Sequence, residues 1–430
     1  MSAHPGPGTE TATEAVTIAR LGARGDGLAA DGTPVSFALP GERVAIRRAG
    51  AQGDLVAVET PSPERVAPFC PHFTRCGGCR TQHLARDAEL AWKRGIVAQA
   101  LAQAGLDAAV DPTRDAHGAG RRRITLHVRA VEGRAEAGLM AARSHALVPI
   151  DHCPITVPAL HRAPAVARAL AAPLGHGRKP LDVAVTAVDQ GLDVDLRGHG
   201  PAGPGVRAAL VRLGGELGLA RLALHGERLM EAEPVTVRSS DARLHPAPGG
   251  FLQATEAGQA VLAELVGAAL GPRVRRVADL FAGCGPLTLA MARRAAVHAV
   301  EGDAAALAGL DRSVRAAAGL KRITHERRDL FRRPLLPTEL DAFDAVVLDP
   351  PRAGAEAQVR QLAAARVPLV VGVSCDAGTF GRDAALLAAG GYRLERVTPV
   401  DQFRHSGHVE MVGVFHRPAG DGRARRAPRP

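Results

Sequence analysis

The pattern of apolar and polar positions divides the chain into three parts. Near the N-terminus, Val16–Leu21, Thr33–Ala38, Arg43–Arg48 and Asp54–Glu59 read as short strands. Turn residues separate them at Gly25-Asp26-Gly27, Asp31-Gly32, Pro40-Gly41 and 50–53. Strands this short and closely spaced predict a small barrel over residues 15–66, of the kind that binds oligonucleotides. In the middle part, Leu84, Leu90, Ile96, Val97 and Leu101 predict a helix over 84–106, expected to pack on the C-terminal domain. Ile124–Arg129 alternates as a strand, and Leu181–Val188 with Leu192–Leu196 reads as a hairpin around Asp189-Gln190-Gly191. Residues 67–250 are thus expected to form an α+β region. Over 251–416 strand and helix patterns alternate, which predicts an α/β domain on a parallel sheet. Residues 1–14 and 417–430, polar or rich in Arg, Pro and Gly, are expected to be disordered.

The chemistry gathers where the apolar runs of the C-terminal part stop. Asp344-Ala-Val-Val-Leu ends in Asp349-Pro350-Pro351-Arg352, and Val367–Val373 ends in Ser374-Cys375-Asp376. Such runs have the composition of strands buried on both faces, and open α/β sheets bind ligands at the carboxyl ends of their strands. Two prolines stiffen the turn after Asp349. Cys375, beside a Ser and an Asp at that edge, reads as a nucleophile rather than an inert core thiol. Upstream, the strand Val274–Phe281 runs into a glycine turn at 282–286, and a helix follows over Leu287–Arg294. Gly283 and Gly285 let the backbone approach a ligand at a helix N-terminus. Val297–Val300 ends in Glu301, placed to accept hydrogen bonds from ribose hydroxyls. Two glycines do not make a dinucleotide fingerprint. Together with Glu301, Asp329 and Asp349 at successive strand ends, they point to S-adenosylmethionine in a Rossmann-like seven-stranded methyltransferase sheet. Cys284, inside the turn, reads as a space-filler.

Cys70, Cys76 and Cys79 lie close together with Gly77 and Gly78 between them, and Cys153 supplies a fourth thiol. Four thiols suit zinc or an iron–sulphur cluster equally well by geometry. The remote fourth ligand and the lack of paired knuckle spacing favour the cluster. His72 and His83 read as surface or neighbouring groups, not ligands. The formal net charge of +10 over 430 residues is compatible with a polyanionic partner. The only lysines are Lys93, Lys179 and Lys321, so a coding bias towards Arg accounts for part of that charge. Arg121, Arg122 and Arg123 are the candidate phosphate contacts. No apolar run is long enough to span a bilayer, and 1–14 lacks the order of a signal peptide, so a cytoplasmic protein without disulfides is expected.

Several segments together resemble one family, the RNA uracil-C5 methyltransferases. They are Phe251-Leu-Gln253, Asp279-Leu-Phe-Ala-Gly-Cys-Gly285, Asp349-Pro-Pro-Arg-Ala-Gly354, Ser374-Cys-Asp-Ala-Gly-Thr-Phe-Gly-Arg-Asp383 and His408-Val-Glu410. The N-terminal strands resemble a TRAM domain and the cysteine set resembles that family's [4Fe–4S] site, so the likeness runs from about residue 15 to 416. It implies Cys375 as nucleophile and Glu410 as base, with Gln253, Phe281, Glu301, Asp329 and Asp349 contacting S-adenosylmethionine. It implies Cys70, Cys76, Cys79 and Cys153 as cluster ligands. It further implies a monomer acting on RNA. Ribosomal 23S RNA ranks ahead of transfer RNA, because the family's transfer-RNA members usually lack the N-terminal domain and the cluster. The chain departs from the family's pattern at Pro286, where Asn or Thr is common, and at Asp376 and Thr255, where Asn is usual. In Asp401-Gln-Phe-Arg-His405, Met and Pro are usual after Asp and Phe.

Other readings have features that tell them apart. A cytosine-C5 methyltransferase would carry a Cys by its Pro-Pro motif, and Asp349-Pro-Pro-Arg352 has none. A radical enzyme would show three cysteines spaced C-x₃-C-x₂-C, whereas Cys70 and Cys76 are separated by five residues. A transfer-RNA uridine-C5 methyltransferase is the nearest alternative. An inactive RNA-binding or ribosome-assembly protein of the same fold is another, and the presence of both Cys375 and Glu410 speaks against it.

Overall fold

The computed structural model describes residues 13–131, 134–175, 180–239 and 242–418. Most of the two ends expected to be disordered lies outside the described residues. Thr13 and Glu14, however, belong to a strand, and Arg417 lies over the Tyr392 ring at 4.3 Å and donates to the Gly390 and Ala363 carbonyls. The chain packs as two compact units. The first holds the described residues up to Trp92 with Leu139–Val148 and His405–Gly407; the second holds Lys93–Gly138, Pro149–Arg404 and the residues from His408. Along the N-terminal part of the chain the division between them falls after Trp92.

In the first unit, β1 (Thr13–Leu21), β2 (Gly27–Ala29), β3 (Pro34–Val35), β4 (Arg43–Ala49) and β5 (Gln52–Thr60) close a barrel in the order β1-β2-β3-β5-β4. Ile18, Val35, Ala38, Val44 and Ile46 fill it. Gly27 opens a strand where the sequence predicts a turn. A Cβ there would lie 2.6 Å from the Ala38 carbonyl oxygen, so only glycine lets β2 come this close. His83 is not a surface group: it is buried against Phe73 (5.4 Å between ring centroids), and burial pushes its pKa down to about 4.

Helix α1 (Arg86–Gln103) is followed by two very short strands, β6 (Ala109–Val110) and β7 (Arg114–Asp115). A seven-stranded sheet comes next, made of β8 (Arg123–Val131), β9 (Arg134–Met140), β10 (Leu147–Pro149), β11 (Leu181–Val188), β12 (Gly191–Arg197), β13 (Arg221–Leu224) and β14 (Glu227–Glu231). Its order is β10-β9-β8-β11-β12-β13-β14. Helices α2 (Ala163–Ala171) and α3 (Pro204–Glu216) pack against it. Along β8 buried and more exposed residues alternate from Ile124 to Arg129, as a half-buried strand requires.

After the small pair β15 (Val237–Ser239) and β16 (Ala242–Leu244), helices and strands alternate. The helices are α4 (Glu256–Leu270), α5 (Pro286–Ala292), α6 (Ala304–Ala316), α7 (Pro337–Leu340), α8 (Glu356–Ala364) and α9 (Ala377–Ala389). The strands are β17 (Arg276–Leu280), β18 (Ala296–Glu301), β19 (Ile323–Arg327), β20 (Ala345–Leu348), β21 (Leu369–Ser374), β22 (Arg393–Asp401) and β23 (Glu410–His416). They order as β19-β18-β17-β20-β21-β23-β22-β6, and β7 also pairs with β22, so the sheet has nine strands rather than seven. β17 to β21 run parallel, and β23 is antiparallel to both its neighbours. From β17 the chain works outward through β18 and β19, then crosses back to β20 on the other side of β17. The crevice that ligands use in such sheets therefore opens at the carboxyl ends of β17 and β20. No helix among the described residues is long and apolar enough to cross a membrane.

One buried ion pair fastens α1 to the end of β22. Lys93 Nζ donates to Asp401 Oδ1 at 2.5 Å and to the Phe403 carbonyl at 2.9 Å, and both charged side chains are fully buried. Removing one partner of such a pair leaves a buried charge uncompensated. Lys93→Ala is therefore expected to cost roughly 3–5 kcal/mol. Urea unfolding measures it, and a loss below about 1 kcal/mol would contradict the assignment.

Candidate active site

The sheet brings two residues distant in sequence to one edge. Ser374 at the end of β21 pairs with Met411 of β23. The ladder ends with that pair. Cys375 directly follows Ser374 and Glu410 directly precedes Met411, and the Glu410 charge acts on the Cys375 thiol. Cys375 is partly exposed; Glu410 is buried. Burial pushes the thiol up to about 11, the Glu410 charge adds to this, and the Arg352 guanidinium opposes it. Burial also pushes Glu410 up to about 8, with the Asp349 charge contributing. Its carboxylate form thus grows in as pH rises through about 8. Asp349, at the end of β20, is raised to about 7 by burial. Neither sequence pattern nor resemblance assigns Arg352 a role. It is the cation facing the thiol, and its guanidinium also meets the His408 ring at 3.2 Å. Its place directly after Asp-Pro-Pro was the signal.

Amides tie the carboxylates together. Gln253 Nε2 donates to Asp349 Oδ2 (3.2 Å), and Gln402 Nε2 donates to Gln253 Oε1 (2.6 Å) and Glu410 Oε1 (3.2 Å). Asp376 caps α9 by accepting the Thr379 N–H at 3.0 Å.

At the neighbouring strand ends lie the residues expected to bind the cofactor. Gly283 N–H donates to Glu301 Oε2 (2.9 Å) and Asp303 N–H to Oε1 (2.8 Å), so the carboxylate is oriented at the end of β18. Gly285 takes φ 90° and a Cβ there would strike Leu310, so glycine is required; Pro286 then starts α5. Phe281 holds φ 64° and its ring lies 5.4 Å from that of Phe331. Asp329 accepts the Phe331 N–H at 3.0 Å. Asp279 is raised to about 7 by burial, and its Oδ1 is buried with no hydrogen-bond partner among the described residues. That orphaned acceptor and the glycine turn fit a ligand at this edge. Cys284 is buried as expected of a space-filler.

Two of the three candidate phosphate contacts point elsewhere. Arg122 is buried, donating to the Gln253 carbonyl (2.9 Å) and to Gln259 Oε1 (2.6 Å). Arg123 donates to the Gly250 and Gly249 carbonyls at 2.9 and 3.2 Å. These carbonyls attract the guanidinium groups inward, where they brace the segment carrying Gln253. Arg121 is half-buried and lies over the Phe403 ring at 5.8 Å.

None of the four thiols proposed as ligands is joined in a disulfide. In the first unit, burial raises the Cys76 thiol, Cys70 adds to this, and the Gly78 N–H donates to Cys76 Sγ at 3.4 Å. Cys79 lies on the same loop, and Cys153 belongs to the second unit. The donor set is chemically right for a soft metal site. Among the described residues, however, no group of three or more His, Cys, Asp or Glu side chains is arranged to hold a metal ion.

The charges around Cys375 predict opposite effects on its alkylation. Iodoacetamide attacks the thiolate, so its rate at the Cys375 peptide follows that thiol's ionisation. Glu410→Gln removes a neighbouring negative charge and should lower the apparent pKa; Arg352→Gln should raise it. Peptide mass spectrometry over a pH series reads both, and coincident profiles would place these charges too far away to act.

Comparison with known proteins bears on the family of the chain. A sequence model of the family described as tRNA (Uracil-5-)-methyltransferase matches residues 232–418. A Brucella suis protein named as an uncharacterized RNA methyltransferase is 44% identical over 95% of this chain and 99% of its own. The 23S rRNA (uracil(1939)-C(5))-methyltransferase of Chromohalobacter salexigens is 35% identical over 96% of this chain and 92% of its own. The crystal structure of the Pyrococcus abyssi tRNA (uracil-54, C5)-methyltransferase with S-adenosyl-L-homocysteine shares the fold, with a TM-score of 0.74 at 20% identity, covering 95% of this chain and all of that one. On identity sustained over nearly its whole length, the chain belongs to the S-adenosylmethionine-dependent RNA uracil-C5 methyltransferase family.

Proposed function

We propose that the protein methylates C5 of a uridine in 23S ribosomal RNA through a covalent adduct on Cys375. The observation that carries this reading is that Cys375 and Glu410 flank the last pair of the β21–β23 ladder, Ser374 with Met411, close enough for the Glu410 charge to act on the thiol. The RNA target rests on the likeness to the Chromohalobacter enzyme and on the N-terminal barrel, which we read as a TRAM domain.

Uracil C5 is one end of a conjugated enone and a weak nucleophile. The Cys375 thiolate adds through Sγ to C6, and the electron pair of the C5–C6 double bond moves to the enolate. S-adenosylmethionine would supply an electrophilic methyl on a sulphonium, with S-adenosylhomocysteine as the leaving group. Once C5 has taken the methyl, Glu410 removes the C5 proton. The freed pair restores the double bond as the C6–S bond breaks and the thiolate leaves. The step is covalent catalysis completed by a general base. Arg352 favours the thiolate, and Gln253, Phe281, Glu301, Asp329 and Asp349 hold the methyl donor beside the glycine turn. The target base must leave its stack to reach this edge.

Cys375→Ala should abolish methylation and any covalent complex. Glu410→Gln should still permit addition and methyl transfer but stall elimination, so a methylated enzyme–RNA adduct should accumulate. Denaturing gels with labelled methyl donor show it as a shifted, RNase-sensitive band. A 5-fluorouridine substrate should trap the wild type at the same stage. Normal turnover of Glu410→Gln without an adduct would assign the base elsewhere.

The proposed ligand set Cys70, Cys76, Cys79 and Cys153 would hold a [4Fe–4S] cluster, and no step of the reaction passes through it. Anaerobically purified protein should be brown and contain iron and acid-labile sulphide. Stoichiometric zinc without iron would overturn this.

A further inference from the structure

We infer that Gln402 is a positioning residue for the base: its amide fixes the Glu410 carboxylate and, through Gln253, links it to Asp349. This rests on the reading of Glu410 as base. Gln402 is fully buried, and every side of its amide is engaged. Nε2 donates to Gln253 Oε1 and Glu410 Oε1, and Oε1 accepts the Thr255 N–H at 3.3 Å. Rotating the amide by half a turn would set its NH₂ against the Thr255 N–H and its carbonyl against two acceptors, so only one orientation is satisfied.

The floor under that amide is built for it. Thr255 is the N-cap of α4: its hydroxyl accepts the Gly258 N–H at 2.8 Å and donates to the Ala116 carbonyl at 2.6 Å. A Cβ on Gly258 would lie 2.6 Å from Gln402 Oε1, so a side chain there would evict the amide. The sense of the chain follows. Because Gln402 donates to the Gln253 carbonyl, Gln253 turns its own NH₂ to Asp349. One amide pair thus gives a donor to each of the two buried carboxylates.

Donors to a carboxylate favour its charged form, and that is the form a base needs. The groups facing Glu410 are Asp349 at the end of β20, which disfavours its charge, Arg352 in the following turn, which favours it, and the Cys375 thiol, on which the Glu410 charge acts. Gln402 is the neutral donor among them, and it stands where the family's pattern has Met. Met matches its length and offers no donor, which makes Gln402→Met the direct test.

The first measurement needs no RNA. In the full-length free enzyme, alkylation of Cys375 by iodoacetamide should show an inflection as Glu410 ionises, because that charge restrains the thiolate. In Q402M the inflection should move up by about one pH unit, the size expected for loss of one hydrogen bond to a charged group. In the second, kcat for RNA methylation should fall about tenfold at pH 7 with KM nearly unchanged, and recover towards the wild-type rate near pH 10. An inflection left in place, or a loss equal at every pH, would reduce Gln402 to packing and overturn the inference. Should Q402M not fold, Gln402→Glu keeps the shape while removing the donors, and must move the inflection in the same direction. A wild type that methylates no uridine, with the inflection still shifting in Q402M, would sink the proposed function and leave the amide's hold on Glu410 standing.

Discussion

The active site depends on how two carboxylates, Asp349 and Glu410, are kept in a crevice dry enough to raise both. A buried carboxylate needs donors, and the choice of donor decides what it can do. A Lys or Arg in direct contact would stabilise the charge so strongly that the group would lose its basicity at neutral pH. An amide supplies a hydrogen bond without a full charge. Gln253 and Gln402 do this, and Arg352 acts on the thiol and on Glu410 from further away. The result is a carboxyl raised to about 8 by burial, close enough to neutrality to serve as the proposed base.

Register enforces the same geometry. β23 runs antiparallel between β21 and β22, and its side chains alternate between faces. A slip of one residue would turn Glu410 to the other face and present Met411 instead. The buried run from Glu410 to Phe415 makes that slip costly. The buried Lys93–Asp401 pair fixes where β22 ends, and hence where the segment carrying Gln402 begins.

Much of this was legible in the sequence, for a physical reason. Strands buried on both faces are continuous apolar runs, so β20 and β21 could be read with their ends, and with them Asp349 and Cys375. Glu301 was legible because it closes such a run. What escaped depends on partners far away in the chain. Arg121-Arg122-Arg123 looks like a solvated cationic run. Only the fold shows that Arg122 and Arg123 turn to the carbonyls of 249–253. The role of Gln402 is invisible for the same reason. β6 and β7, two residues each, are too short to carry any periodicity, and β2 was hidden by glycines that signal a turn.

Those two short strands bear on the modularity of the protein. β6 and β7 come from before the middle sheet yet pair with β22 of the C-terminal sheet. An open strand edge is a template for pairing with other chains. A gene fragment starting near residue 251 would encode the whole glycine turn and the proposed nucleophile and base, but would expose the backbone of β22 and lose Lys93 from beneath Asp401. The catalytic half is therefore not a transferable cassette. Recombination that exchanged it would have to carry residues from 93 onwards, so the middle sheet travels with the chemistry as one inherited piece.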